Sequence, residues 1–310
     1  MNRKSVTVFA PATIANLGPG FDVLGLALEA PGDTIRARRR AEPGLGFALR
    51  GPARGLPKQP AKNVAAHVGG LLLRDSSPGF GVHLELRKGM PIGSGLGSSA
   101  ASSVAAALAV NALLPRPLPR RALLSFAIEG ERLACGVPHA DNVAACLLGG
   151  AVLVRSGNPL DVVRLSVRGM FRWTVALPET ILRTRDARRL LPRSLPLKQV
   201  VRQTGTFAAL VTALARGDGA LLARSFEDVV AEPVRGPLIP GYAEVKAAAL
   251  TAGAIGCGIS GSGPTVFAVS DSDAAARRIG RAMKHAFAAA GLRSRVFHSR
   301  LNRSGATVRR

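Results

Sequence analysis

Pro91-Ile92-Gly93-Ser94-Gly95-Leu96-Gly97-Ser98-Ser99-Ala100-Ala101-Ser102 links an alternating segment at 81–87 to an Ala-rich run that ends near Leu114. The alternation predicts a strand, the alanines predict a helix, and the three glycines predict a turn between them. Strand, glycine turn, hydroxyls and helix start together make a place for phosphate. Glycines let backbone N–H groups converge on an anion, and the helix N-terminus adds partial positive charge. The same stretch excludes commoner phosphate sites. No Gly-Lys-Ser/Thr follows the glycines, so this is not a P-loop. The acid expected about 20 residues beyond a dinucleotide-binding turn is missing, and so are a kinase catalytic loop and an Asp-Phe-Gly motif. A plain glycine turn before an ordinary helix is the competing reading. The ordered run with a long Ala helix behind it favours the phosphate.

The chain has 310 residues, 47% of them hydrophobic and 20% charged, which predicts a globular protein with a large core and room for two domains. The formal net charge of +23 points in two directions. Clustered, it would mark a binder of nucleic acid or of a membrane surface. Here only seven of the 42 basic residues are Lys, the Arg are scattered, and Trp and Tyr occur once each. Stacking on bases is poorly supplied, so the charge reads as an Arg-biased composition, with no nucleic acid as partner. The six Arg of 293–310, unopposed by any acid, predict a solvated and partly disordered tail. Cys135, Cys146 and Cys257 are odd in number, fit no zinc spacing and lie among apolar or glycine residues, as in a reduced, cytoplasmic protein. Met1–Phe9 alternates like a strand and not like a secretory leader. The uncharged stretch 89–115 holds five Ser, four Gly and two Pro, and its apolar helix is too short to span a membrane.

Along the chain, strands are expected at 6–9, 23–28, 34–40, 47–50, 82–87, 151–154, 162–167, 172–177 and 265–269. A glycine/proline turn is expected over 10–22 and a Pro/Gly/Lys loop over 51–62. Helices are expected at 63–73, behind the glycine loop, and at 118–135, 140–148, 186–191, 197–216, 219–230, 241–252 and 273–290. Strands mixed with helices in both halves predict an α+β fold in two domains, 1–168 and 169–310.

Three separated segments then belong together: Pro11–Gly25 with Asn16 and Asp22, the 91–102 loop, and Gly258-Ile-Ser-Gly-Ser-Gly-Pro-Thr265 just before a strand. In this order they resemble the GHMP kinases over nearly the whole chain. The stretch 130–145, which includes His139-Ala-Asp-Asn142, and Glu232-Pro-Val-Arg-Gly-Pro-Leu-Ile-Pro240 resemble the branch of that family that phosphorylates homoserine for threonine synthesis. The resemblance implies a two-domain fold with the active site in the interdomain cleft, ATP and Mg²⁺ as cosubstrate and cofactor, and a homodimer. It also implies roles for residues. Pro91, Ile92, Gly93, Ser94, Gly95, Leu96, Gly97, Ser98 and Ser99 would wrap the ATP phosphates, with Lys62 and Asn63 near the adenine. Ser99 and Glu131 would meet Mg²⁺. Asn16, Asp22, His139, Asp141, Asn142, Arg188 and Arg235 would form the homoserine site, and Asn142, Asp141, Arg188 and Thr184 would surround the transfer itself.

Residue chemistry agrees with these roles. A zwitterionic amino acid needs an anion for its ammonium, here Asp22, and guanidinium for its carboxylate, here Arg188 and Arg235. Mg²⁺ takes hard oxygens, and one hydroxyl plus one carboxylate suffice beside phosphate oxygens. Phosphoryl transfer is mainly positioning and charge neutralisation, so Asn142 can orient a hydroxyl without taking its proton. Each residue also has a plainer reading. Asp141 can be a helix-start acid, Glu131 a surface charge, His139 structural, and Arg188 one more Arg in an Arg-rich chain. Two other functions compete: another small-alcohol kinase of the same family, of mevalonate or shikimate type, and a non-catalytic basic nucleic-acid binder.

Overall fold

The computed structural model describes residues 3–51, 55–57 and 59–309, so 52–54 and 58 of the expected 51–62 loop lie outside the described residues. Its first half is β1 (Ser5–Asn16), β2 (Gly20–Arg40), β3 (Leu45–Arg50), α1 (Val64–Ser76), β4 (Gly81–Arg87), α2 (Ser98–Asn111), α3 (Leu123–Cys135), α4 (Asp141–Leu148), β5 (Ala151–Gly157) and β6 (Leu160–Leu165). The second half is β7 (Arg172–Pro178), α5 (Thr184–Arg189), α6 (Leu197–Arg216), α7 (Gly219–Ala223), α8 (Glu232–Arg235), α9 (Tyr242–Thr251), β8 (Gly256–Ile259), β9 (Val266–Ser270), α10 (Asp273–Ala289), β10 (Ser294–Ser299) and β11 (Thr307–Arg309).

A seven-stranded sheet holds β11-β1-β2-β4-β3, with β5 on β2 and β6 on β5; a four-stranded antiparallel sheet runs β10-β7-β9-β8. Helices α1, α2 and α4 pack on the first sheet, α3 packs on those helices, and α9 and α10 pack on the second sheet. All of α2 except Ser99 is buried. A helix apolar and small all round can sit centrally, because Ala lets neighbouring elements approach closely. Trp173, Phe226 and Phe267 from the second half join the first core, with ring centroids 6.3 Å (Trp173–Phe267) and 5.7 Å (Phe226–Phe267) apart.

Several expectations change. The turn expected over 10–22 is mostly strand: β1 continues to Asn16, pairing Ile14 with Leu26 and Ala15 with Gly25, and Pro11 is absorbed at a register shift before Thr13. Proline costs a ladder bond, and an irregularity is where a sheet tolerates it. The strands expected at 23–28 and 34–40 are one element, β2. The helix expected over 219–230 stops at Ala223. The tail is ordered: β10 pairs with β7, and β11 crosses back to β1, with Val8 opposite Val308. Arg120 anchors that return by donating to the carbonyls of Leu147, Ser304 and Ala306. Cys146 and Cys257 are buried and Cys135 is half-buried, all three unpaired. Among the described residues no helix is long and apolar enough to cross a membrane.

Candidate active site

Gly93, Gly95 and Gly97 have φ of +63°, +76° and +65°, the left-handed region where a Cβ is strained. Gly95 is also confined: a Cβ there would lie 2.6 Å from the Ser260 carbonyl oxygen and 2.7 Å from that of Gly263. The loop's carbonyls are held from behind. Leu96 accepts from the Thr13 amide (3.1 Å), Ser94 from the Thr265 hydroxyl (2.6 Å), and Gly95 from the Ser260 hydroxyl (2.6 Å). The β8–β9 turn, residues 260–265, is therefore the clamp on the phosphate loop. With its carbonyls occupied, the loop can turn N–H groups toward an anion at the start of α2.

Beneath the loop lies a group that sequence reasoning missed. Lys88 is buried and bonded to Asp33, which is wholly buried. Its ammonium also donates to the Ser98 carbonyl (2.9 Å), the Ser98 hydroxyl (2.7 Å) and the Ser102 hydroxyl (2.9 Å). Asp33 further accepts from Ser102 (2.8 Å) and the Gly89 amide (3.0 Å). Every polar atom here has partners, which is what a buried ion pair needs to be tolerated. Lys88 directly follows the strand β4, so its place near the loop was readable in the sequence; Asp33 carried no local signal.

On the other side of α2 two carboxyls are buried. Glu131, beside the Ser99 hydroxyl, is pushed up to about 7 by loss of solvent, and its Oε1 has no hydrogen-bond partner. Asp141 is likewise raised to about 7, first by burial and then by the charge of Asp22. Its Oδ1 accepts from the Asn142 amide (2.7 Å) and side chain (3.3 Å) at the start of α4, so it is a helix-start acid that also feels the charges of Asp22 and Arg188. An unpartnered carboxylate oxygen next to a serine hydroxyl suits a hard divalent cation that keeps water and phosphate ligands. No cluster of three or more acidic, His or Cys side chains forms a metal cage among the described residues.

The acceptor end is built from side chains. Asp22, itself at φ +58°, takes Arg188 Nη2 at 2.5 Å, and His139 Nδ1 lies 3.7 Å from its other oxygen. Burial lowers the His139 pKa and favours the neutral ring. Asn16 accepts from the Asp22 amide (3.1 Å) and donates to the Gly261 carbonyl (3.2 Å), which also accepts from Arg235 (2.9 Å). Phe21 lies between the guanidiniums, 5.4 Å from Arg188 and 5.1 Å from Arg235. Buried Nε atoms of both arginines and Nε2 of His139 lack partners. Thr184 reaches Ser262 at 3.2 Å, and Ile181 and Leu182 lean over Gly93.

Most of the expected residues thus lie in one connected neighbourhood. Lys62 and Asn63 are built differently. Asn63 caps α1 through the Ala65 amide (3.0 Å) and holds the Pro57 carbonyl (3.1 Å), while Lys62 is exposed. A Cβ at Gly55 would lie 3.9 Å from the Ile92 side chain, so Gly55 sits close to the loop's outer edge.

A model of the GHMP kinases N-terminal domain matches residues 58–150, and one of the GHMP kinases C-terminal domain matches 210–289. The chain belongs to the GHMP kinases. A homoserine kinase of Chlorobium phaeovibrioides is 45% identical over 98% of this chain and 99% of its own. One of Xylella fastidiosa is 40% identical over 97% and 92%. The crystal structure of homoserine kinase from Cytophaga hutchinsonii superposes with a TM-score of 0.96, at 47% identity, over 100% of this chain and 98% of that one. L. major mevalonate kinase, at 17% identity and a TM-score of 0.74 over 94% of each chain, shares the fold alone. The α+β, two-domain GHMP architecture expected from the motifs is the one observed.

Proposed function

We propose that this GHMP kinase transfers the γ-phosphoryl group of ATP to the side-chain hydroxyl of L-homoserine, giving O-phospho-L-homoserine and ADP. The observation that carries the assignment is the meeting, around Asn142, of a backbone-built phosphate loop and the Asp22, Arg188 and Arg235 set. The first suits the ATP phosphates, and the second suits a zwitterion. Nearly full-length similarity to homoserine kinases of several organisms points the same way.

Asp22 would receive the substrate ammonium, while Arg188 and Arg235 would take its carboxylate in fork geometry. Binding would exchange the Asp22–Arg188 pair for ligand contacts and give the partnerless Nε atoms something to bond. Asn142 would hold the acceptor hydroxyl in line with the γ-phosphorus by hydrogen bonding to its oxygen; an amide positions the hydroxyl but does not take its proton. Thr184, at the start of α5, would close over the phosphoryl group. Ser99 and Glu131 would hold Mg²⁺, which when bound neutralises phosphate charge. Lys62 and Asn63 would face the adenine, Asn63 through the backbone it orders. The assembly we propose is a homodimer in the cytoplasm, as the resemblance implies, and light scattering tests the dimer.

A coupled ADP-release assay tests the reaction. Homoserine should turn over faster than mevalonate or shikimate, and faster turnover with either of those would overturn the assignment.

A further inference from the structure

Thr13 is wholly buried on β1, where the neighbouring strand residues are apolar. A β-branched side chain belongs in a strand, but valine would serve that role without a hydroxyl to satisfy. The hydroxyl therefore needs an explanation, and the structure holds one. Thr13 Oγ1 donates to Asn142 Oδ1 at 2.5 Å, across 129 residues of sequence. The Thr13 backbone amide meanwhile donates to the Leu96 carbonyl at 3.1 Å, inside the phosphate loop. Gly97, the last glycine of that loop, packs on both partners: a Cβ there would lie 2.1 Å from Thr13 Oγ1 and 2.9 Å from Asn142 Oδ1.

One residue thus touches the donor half through its backbone and the acceptor half through its side chain. We infer that Thr13 is a positioning residue that sets the distance and orientation between the phosphate loop and the Asn142 amide. Its hydroxyl engages Oδ1, which leaves the amide nitrogen directed toward Asp141 Oδ1 (3.3 Å) and the cleft. Asn142 is then fixed as a hydrogen-bond donor to the acceptor oxygen. The third glycine is required by this contact as well as by its φ, because the contact leaves no room for a side chain. In-line transfer depends steeply on such register, so loosening it costs turnover more than binding.

The inference rests on the proposed role of Asn142, and the experiment separates the two. Thr13→Val, Thr13→Ser, Asn142→Ala and the double variant Thr13→Val/Asn142→Ala are compared in steady-state kinetics, with thermal unfolding as a check on folding. Thr13→Val should lower kcat by roughly tenfold or more, with both KM values within about twofold. Thr13→Ser should recover most of the loss, and the double variant should be no worse than Asn142→Ala. Thr13→Ala replaces Thr13→Val if the latter does not fold. Three outcomes overturn the positioning role: kcat unchanged in Thr13→Val, no rescue by serine, or losses that multiply in the double variant. An unimpaired Asn142→Ala would instead remove the role given to Asn142, and the Thr13 inference with it.

Discussion

Two ion pairs flank the cleft and behave oppositely. Lys88–Asp33, under the phosphate loop, is dry and saturated, and each charge has further bonds to serine hydroxyls or backbone. Arg188–Asp22, on the far side of Asn142, is about one-third exposed on both sides, with an unpartnered Nε and beside it His139, whose pKa burial lowers. The difference separates structure from recognition. A pair whose every atom is occupied can hold a loop but cannot bind anything else. A pair with vacant donors and access to solvent can be exchanged for a zwitterion. Lys88, saturated by protein partners, is a fixture beneath the loop, and any anion bound there would face backbone amides and the α2 start.

The contrast can be broken at either end. The largest effect is expected from Lys88→Met, which strands the Asp33 carboxylate in the core. Urea unfolding should show a loss of about 3–5 kcal/mol, partly recovered by adding Asp33→Asn. Arg235→Leu should leave stability closer to normal but weaken homoserine binding by about 2–4 kcal/mol, on the order of 100-fold in KM, with the ATP KM within about twofold. Equal loss for both substrates would make Arg235 structural.

A smaller effect tests the metal side. Glu131 and Asp141 are both raised to about 7 by burial. The folded protein therefore retains protons that the unfolded chain releases near pH 4. Without metal, its stability should fall as pH rises from about 4 to about 7 and level off above. Glu131→Gln should raise the metal-free melting temperature at pH 8 by about 3 °C or more, and should remove the stabilisation that Mg²⁺ gives the parent protein. A variant that melts lower, or that still responds fully to Mg²⁺, would take Glu131 out of the metal site. The smallest effect belongs to the exposed Arg202–Glu227 pair, bonded at 2.8 and 2.5 Å. Arg202→Ala should change stability by less than about 1 kcal/mol, since solvent and salt screen it.

The glycine loop was legible because its form resides in backbone. Glycine spacing, following hydroxyls and a helix start are all local, and they survive in a single line of residues. The neighbourhood of Asp22, His139, Asp141 and Arg188 was legible only as a set, through the order of three motifs; Asp141, His139 or Arg188 alone had a plainer reading. Thr13 and Asp33 carried no local signal, because their partners lie 129 and 55 residues away. The tail was misread for the same reason. Arg293, Arg295, Arg300, Arg303 and Arg309 are exposed, as expected, but the order of the segment comes from strand pairing with β7 and β1, a long-range choice that composition does not reveal.

The sequence alone determined the two-domain α+β class, the glycine loop before a helix and the family, since these follow from short-range backbone preferences and ordered motifs. Tertiary structure decided which charges are free. Lys88 and Arg188 are both basic residues in a basic chain. Burial with saturating partners makes one a fixture of the fold, and partial exposure with vacant donors leaves the other available to a substrate.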